Sequence, residues 1–167
     1  MANIQDVRAI HNPQKAYMWE VEIQGLSTGS LNELSFYAKT VSIPQSAVEQ
    51  MIINHKASRT HHAGRDASSH TVSITFWDDE ARTIHNFFQE WMDNLIHNPI
   101  LGGGVSRDLY AADLVIRLKD ASDENATGTF RLARAFPIDI PDVPLSYDTS
   151  DVVEITVTLS FDEKIVS

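Results

Sequence analysis

The chain contains no cysteine, which rules out disulfides and thiolate metal sites and leaves the redox compartment undetermined. It has no run of about 18 apolar residues, so no membrane-spanning helix is expected. The opening MANIQDVRAIHNPQKAY lacks a hydrophobic secretory region, and an intracellular product is expected. Basic residues are scarce, 13 against 23 acidic ones, for a formal net charge of −10. A chain so balanced lacks the clustered Lys and Arg that grip phosphates. It can still present a surface that nucleic acid passes without adhering to. Prolines number only six, and three of them, Pro137, Pro141 and Pro144, fall in one stretch.

That stretch, Phe136 to Asp162, carries the plainest pattern in the sequence. Its prolines fix φ and favour extended neighbours, so Pro137 to Asp151 reads as a stiff, non-helical connector. Period-two alternation follows, with Val153, Ile155, Val157, Leu159 and Phe161 on one face and Glu154, Thr156, Thr158 and Ser160 on the other. Residues of these β-branched and aromatic types suit a strand lying over a core.

Alternation recurs elsewhere. Tyr17, Trp19, Val21 and Ile23 predict a first strand, and Leu34, Phe36 and Ala38 a second running to about Val41. Val72, Ile74 and Phe76 predict another. Residues 112–119 and 127–135, joined by a polar turn, read as a β-hairpin. One helix is predicted over 78–98, with Asp78 as N-cap and an acidic first turn that suits the positive end of the dipole. Ala81, Ile84, Phe88, Trp91 and Leu95 form its buried stripe, widened by Phe87 and Met92. Pro99 and Gly102-Gly103-Gly104 end it. About six or seven strands and one helix, in 167 residues, predict a single domain: a mainly antiparallel β sandwich or barrel with a flanking helix. Residues 1–15 read as an arm. The polar segment 45–69 is too long for a simple turn and is expected to be a projecting hairpin or a functional loop.

Catalytic chemistry finds little support. His55, His61, His62, His70 and Asp66 lack a metal-ligand spacing such as HExxH, and adjacent histidines on an extended segment point to opposite faces. Asp78-Asp79-Glu80 is explained by its place at a helix start. Gly102-Gly103-Gly104 lacks the Gly-Lys-Ser/Thr ending of a phosphate loop. Asn125-Ala126-Thr127 is a glycosylation sequon without a secretory context, and no serine sits in a nucleophile elbow. No cofactor, metal site or enzymatic activity is expected.

The order of features is more informative than any one motif. Trp19-Glu20-Val21-Glu22-Ile23 is followed by Ile43-Pro44 and Val48-Glu49, then a long segment with Ala63-Gly64-Arg65. Trp77-Asp78-Asp79-Glu80 leads into a helix with Phe88 and Trp91, and Phe136-Pro137 and Leu145-Ser146-Tyr147-Asp148 approach the last strand. Along nearly its whole length this resembles the tail tube proteins of T4-like contractile-tailed bacteriophages, a family related to the haemolysin-coregulated tube protein of type VI secretion.

The resemblance implies a β-sandwich-like subunit, six of which form a ring with sheets joined into a continuous inner barrel. Rings stack into a tube inside a contractile sheath, carrying double-stranded DNA and, during assembly, the tape-measure protein, between a baseplate and a tail terminator. It implies a virion location, assembly in the host cytoplasm, and no catalytic residues. By position it assigns the ring-stacking interface to Val48, Glu49, Met51, Ile53, Arg59, Gly64 and Arg65, with lesser contacts from the arm 1–15 and the tail Glu163 to Ser167. Glu20 and Glu22 are candidate lumen residues; six copies carry about −60 in total, enough to repel phosphates from an acidic bore. Deleting Gln50 to Ser68 is expected to spare rings and abolish stacking. The segment's histidines exceed the T4-like pattern; at a ring interface their protonation near pH 6 would weaken stacking. Its polar, glycine-containing composition suggests that it orders only on stacking. The same features fit the tube of a type VI secretion ring or a phage-like injection particle, or a baseplate tube-initiator. Outside this class stand a monomeric β-sandwich binding module and a metal-dependent hydrolase.

Overall fold

A computed structural model describes residues 14–26, 34–97 and 105–167. Most of the expected arm 1–15 and the glycine run at 102–104 lie outside them. The strands are β1 (Trp19–Gln24), β2 (Ala38–Val41), β3 (Val48–His55), β4 (Ser58–Asp66), β5 (Thr71–Trp77), β6 (Ala112–Lys119), β7 (Ala126–Asp139), β8 (Glu154–Ser160) and β9 (Glu163–Val166). The helices are α1 (Leu34–Tyr37), α2 (Thr83–Glu90), which runs on into a π-helical turn (Trp91–Ile96), and α3 (Arg107–Tyr110).

All pairings are antiparallel. Seven strands form the body in the order β1-β6-β7-β8-β5-β2, with β9 on the free side of β7, and β3-β4 stands apart as a two-stranded hairpin. The body folds into two layers because β7 serves both. Its first part pairs with β6 and β9, and Phe136, Pro137 and Asp139 pair with β8. At the changeover the register slips, so that Ala133 and Arg134 stand opposite Asp113 alone. Arg134 takes a left-handed backbone (φ 56°) there, a bulge of the kind that turns a strand from one sheet to another. The Asp113 carboxylate holds it by accepting the Arg134 amide at 3.1 Å and the Arg131 guanidinium.

One core lies between the layers. Val21, Ile23, Leu114, Ile116 and Leu132 enter from the first sheet and Val72, Ile74, Phe76, Ile155, Val157 and Leu159 from the second. Helix α2 adds Ile84 and Phe88, and the π-helical turn adds Trp91, to the same cluster. Leu95, further along the same stripe, is only partly buried against the core.

Several boundaries differ from the sequence expectation. Leu34 to Tyr37 is helical rather than extended, so Leu34 is buried while Phe36, two residues on, is 80% exposed; a 3.6-residue period separates what a strand would have aligned. Helix α2 starts at Thr83, leaving Ala81 exposed outside the stripe. Arg82, in left-handed backbone, takes the capping position. The aspartates still cap, but from the loop: Asp79 accepts the Thr83 amide at 2.8 Å and Asp78 the Ile84 amide at 3.1 Å. The connector begins at Ile140, not Pro137, because buried Pro137 pairs within β7 near its end, where a missing N–H is tolerated. Val153, expected over the core, precedes β8 and is 37% exposed. The tail 163–166 is strand β9 of the subunit's own sheet.

Candidate assembly surfaces

The segment 45–69 is a hairpin with every residue of both strands exposed. Met51 opposes His62 and Ile53 opposes Thr60 on one face, while Ile52 opposes His61 and Asn54 opposes Arg59 on the other. At about 3.3 Å per residue the eight-residue β3 extends roughly 26 Å from the body. Its root is pinned by backbone and side chain together. The Ala67 amide donates to the Ala47 carbonyl at 2.8 Å and the Ala47 amide to Ser68 Oγ at 3.0 Å. Lys164 Nζ of β9 donates to the Pro44 carbonyl at 2.7 Å. The Asp66 carboxylate accepts the Ser68 hydroxyl and amide, which hold its pKa below the usual aspartate value.

All seven residues assigned to stacking by resemblance therefore sit on one projecting element. Gly64 has a specific reason to be glycine. It lies where the β3–β4 register slips, and a Cβ there would meet the Glu49 carbonyl oxygen at 3.0 Å and Glu49 Cβ at 3.2 Å. Gly64→Val should destabilise the hairpin by about 1–3 kcal/mol. Hydrogen exchange should then quicken across 48–66 while amides of the two-layer body keep their protection. The histidines do not converge: His61 and His62 face opposite sides, and His70 lies beyond the hairpin against the Phe161 ring (5.7 Å between centroids).

The two outer faces of the body differ in chemistry. Glu20 and Glu22 do share the outer face of the first sheet, but as members of an ion-pair network. Arg117 Nη1 lies 3.2 Å from Glu20 and 2.8 Å from Glu22, and Lys119 Nζ is 3.1 Å from Glu20. Arg131 pairs with Asp113 beside them. Val115 is buried on this face, outside the main core. Its partner positions are Glu22 and Arg131, whose side chains flank it. The Arg117 hydrogen bond keeps Glu22 below the usual carboxylate pKa despite the opposing effect of burial. For Asp113 burial is the largest influence and raises the pKa, but Arg131 and the Arg134 amide outweigh it and the net shift is downward.

A folded-state pKa below the unfolded value means that Glu22 stabilises above about pH 4.3 and that this is lost as pH falls through the lowered value. With 48% of the Glu22 side chain exposed, the effect is under about 1 kcal/mol. Arg117→Met should return the Glu22 midpoint upward in a carboxylate NMR titration and cost stability at neutral pH but not below about pH 3.

The outer face of the second sheet is a ladder of hydroxyls. Ser73 and Thr158 (3.3 Å) and Thr75 and Thr156 (3.1 Å) pair across β5 and β8. Lys39 and Glu154 pair at its edge.

At the far end of β5 and β8 from the hairpin lie two adjoining grooves. One, about 660 Å³, runs between the α2 start and the connector, lined by Asp78, Asp79, Glu80, Asp142, Ile140 and Val143 among others. The next, about 640 Å³, is lined by Trp77, Leu145, Asp151, Val152 and Glu154 among others. Leu145 is 80% exposed, and Tyr147, Val152 and Ile138 are also open to solvent. Sequence reasoning missed these grooves; the available signal was the apolar content of a non-periodic, proline-rich stretch. It also missed the ion-pair network, which the alternation Asp113, Val115, Arg117, Lys119 opposite Glu20 and Glu22 could have disclosed.

Among solved structures the chain is similar to the sheath/tube terminator of an extracellular contractile injection system, PVC, in the extended state. The TM-score is 0.71 at 14% identity, over 95% of this chain and 99% of that one. It is also similar to the tube-terminating cap of the anti-feeding prophage (0.71, 13%, 100% and 99%) and to a chain of the PVC sheath-tube complex (0.67, 13%, 100% and 98%). At such identities these likenesses establish a shared fold. No curated protein matches the sequence. Residues 6–167 match the family described as phage tail tube protein, and with nearly the whole chain covered, this chain belongs to that family.

Proposed function

We propose that the chain is the subunit of the inner tube of a contractile tail. Six copies close into a ring and rings stack through the β3–β4 hairpin. Family membership over residues 6–167 is the observation that carries this reading, and the exposed hairpin, with Val48, Met51, Ile52 and Ile53 open to solvent along β3, gives it a physical means. The role is structural, with no cofactor and no catalysis. The tube works inside a sheath, capped by a terminator and seated on a baseplate, in keeping with the sheath-tube, terminator and baseplate assemblies of similarly folded proteins. Its cargo is double-stranded DNA, with the tape-measure protein occupying the bore during assembly. The subunit assembles in the host cytoplasm and ends in the virion tail.

For the bore there are two candidate walls. The Glu20 and Glu22 face carries nearly balanced charge, and the Ser73, Thr75, Thr156, Thr158 face is uncharged along its centre. Neither offers the uncompensated cations that would hold phosphate. Among the described residues no strand pairs with the outer edges of β1, β2 and β9; such edges invite pairing with neighbours, and ring closure removes them.

Negative-stain microscopy of the purified chain tests the proposal. Hollow tubes built of six-subunit rings are expected; a protein that stays monomeric and never enters a tube overturns it. A second reading, a terminator that caps a tube, draws on the likeness to two terminators. It predicts single rings that bind tube ends without elongating.

A further inference from the structure

The hairpin and the grooves lie at opposite ends of the same two strands. Strand β5 begins at Thr71, just beyond the hairpin root, and ends at Trp77, which lines a groove. Strand β8 begins at Glu154, in that groove, and leads to Phe161, whose amide donates to the His70 carbonyl beside the root. Seven residues of strand at about 3.3 Å each separate the two ends by roughly 20 Å. The molecule is thus polar along β5, with a protrusion at one end and a recess at the other.

Their surfaces are complementary. The hairpin exposes Val48, Met51, Ile52 and Ile53, and the grooves expose Trp77, Leu145, Val152 and Val153. Of the chain's charges the hairpin holds Lys56, Arg59 and Arg65 against Glu49 and Asp66, a net +1, which leaves the rest of the chain at −11. The grooves are lined by six carboxylates, Asp78, Asp79, Glu80, Asp142, Asp151 and Glu154, against one guanidinium, Arg82, which lies beside His85. Exposed ion pairs add little affinity, so apolar contact supplies the binding and charge sets which end meets which.

We propose that the acid-rimmed grooves formed by the 140–153 connector and the start of α2 receive the β3–β4 hairpin of a second copy. The contact is heterologous, so each copy keeps a free protrusion and a free recess and assembly propagates. This rests on the tube reading above and names the receiving surface that the reading leaves open.

The absence of cysteine gives a clean test. A chain carrying Ile53→Cys and a second carrying Leu145→Cys are mixed, assembled and treated with a mild oxidant; both positions are exposed, so neither fold is disturbed. A Ser122→Cys chain, altered in a remote exposed turn, replaces the groove variant as control. Docking raises the local thiol concentration far above that in solution, so the hairpin–groove disulfide should exceed the hairpin–control product by at least about tenfold. Tubes that form with equal or no crosslinking to Leu145→Cys would overturn the docking site while leaving the tube function standing. A wild-type chain that assembles into nothing overturns both.

Discussion

Excising Val48–Asp66 and bridging Ala47 to Ala67 with a two-residue turn should yield a subunit that melts where the intact one does and no longer forms tubes. The two halves of this expectation come from the same observation. No residue of β3 or β4 is buried, so the core loses nothing, and surface changes of this kind fall within about 0.5 kcal/mol. The ends are already joined by the Ala67 amide to Ala47 carbonyl hydrogen bond at 2.8 Å, so a short turn closes them without strain. Ser68 must be retained, because its hydroxyl accepts the Ala47 amide; a cut running to Ser68 would damage the root. Calorimetry should show an unchanged transition. Sedimentation and negative-stain images should show rings or single subunits but no tubes, and long tubes from this variant would remove the hairpin from the stacking role.

Trp91→Ala should be the most damaging single substitution in the helix. Trp91 is 1% exposed and stacks on Phe88 with centroids 6.1 Å apart and planes at 14°. Phe87 meets it edge-on. Truncation leaves a cavity where the two layers and α2 converge, at a cost of about 3–5 kcal/mol. It also removes the indole N–H that donates to the Tyr110 carbonyl at 2.8 Å, taking a donor from an acceptor at the end of α3. For a domain of this size the melting temperature should fall by roughly 10 °C. Trp91→Phe is an intermediate case, since it keeps a six-membered ring but loses the rest of the indole together with the hydrogen bond, for about 1–3 kcal/mol. A Trp91→Ala protein melting within a degree or two of the parent would show that the core relaxes into the space.

The two-layer body was legible in the sequence wherever one face of a strand is buried. Val72, Ile74 and Phe76, like Ile155, Val157 and Leu159, announce themselves because burial selects every second residue. The helix was legible from Ile84, Phe88 and Trp91. Its start was not, because Asp78 and Asp79 cap it from a loop, with Arg82 in left-handed backbone between them and Thr83. The Leu34 to Tyr37 turn failed for a different reason: four residues hold barely one helical period, too few to tell it from alternation. Strand β9 carries only four residues, with Lys164 the one partly buried, so no apolar stripe marked it. The hairpin was half legible. Its length and polarity pointed to a projection, but with both faces in solvent nothing fixed its register, which depends on Gly64 yielding room to Glu49. The grooves were missed because much of their lining comes from the connector, which has apolar residues but no period to read.

The shared strand β7 has a mechanical consequence. Two sheets held together only by apolar contact can slide, since such contacts are non-directional and re-form as they shift. Here fourteen residues of one strand are hydrogen-bonded to β6 and β9 in one layer and to β8 in the other. Sliding one layer over the other would strip backbone bonds on both sides of the Arg134 bulge at once. The subunit therefore resists shear as a continuous strut rather than a laminate, and thrust delivered to either layer reaches the other through covalent chain.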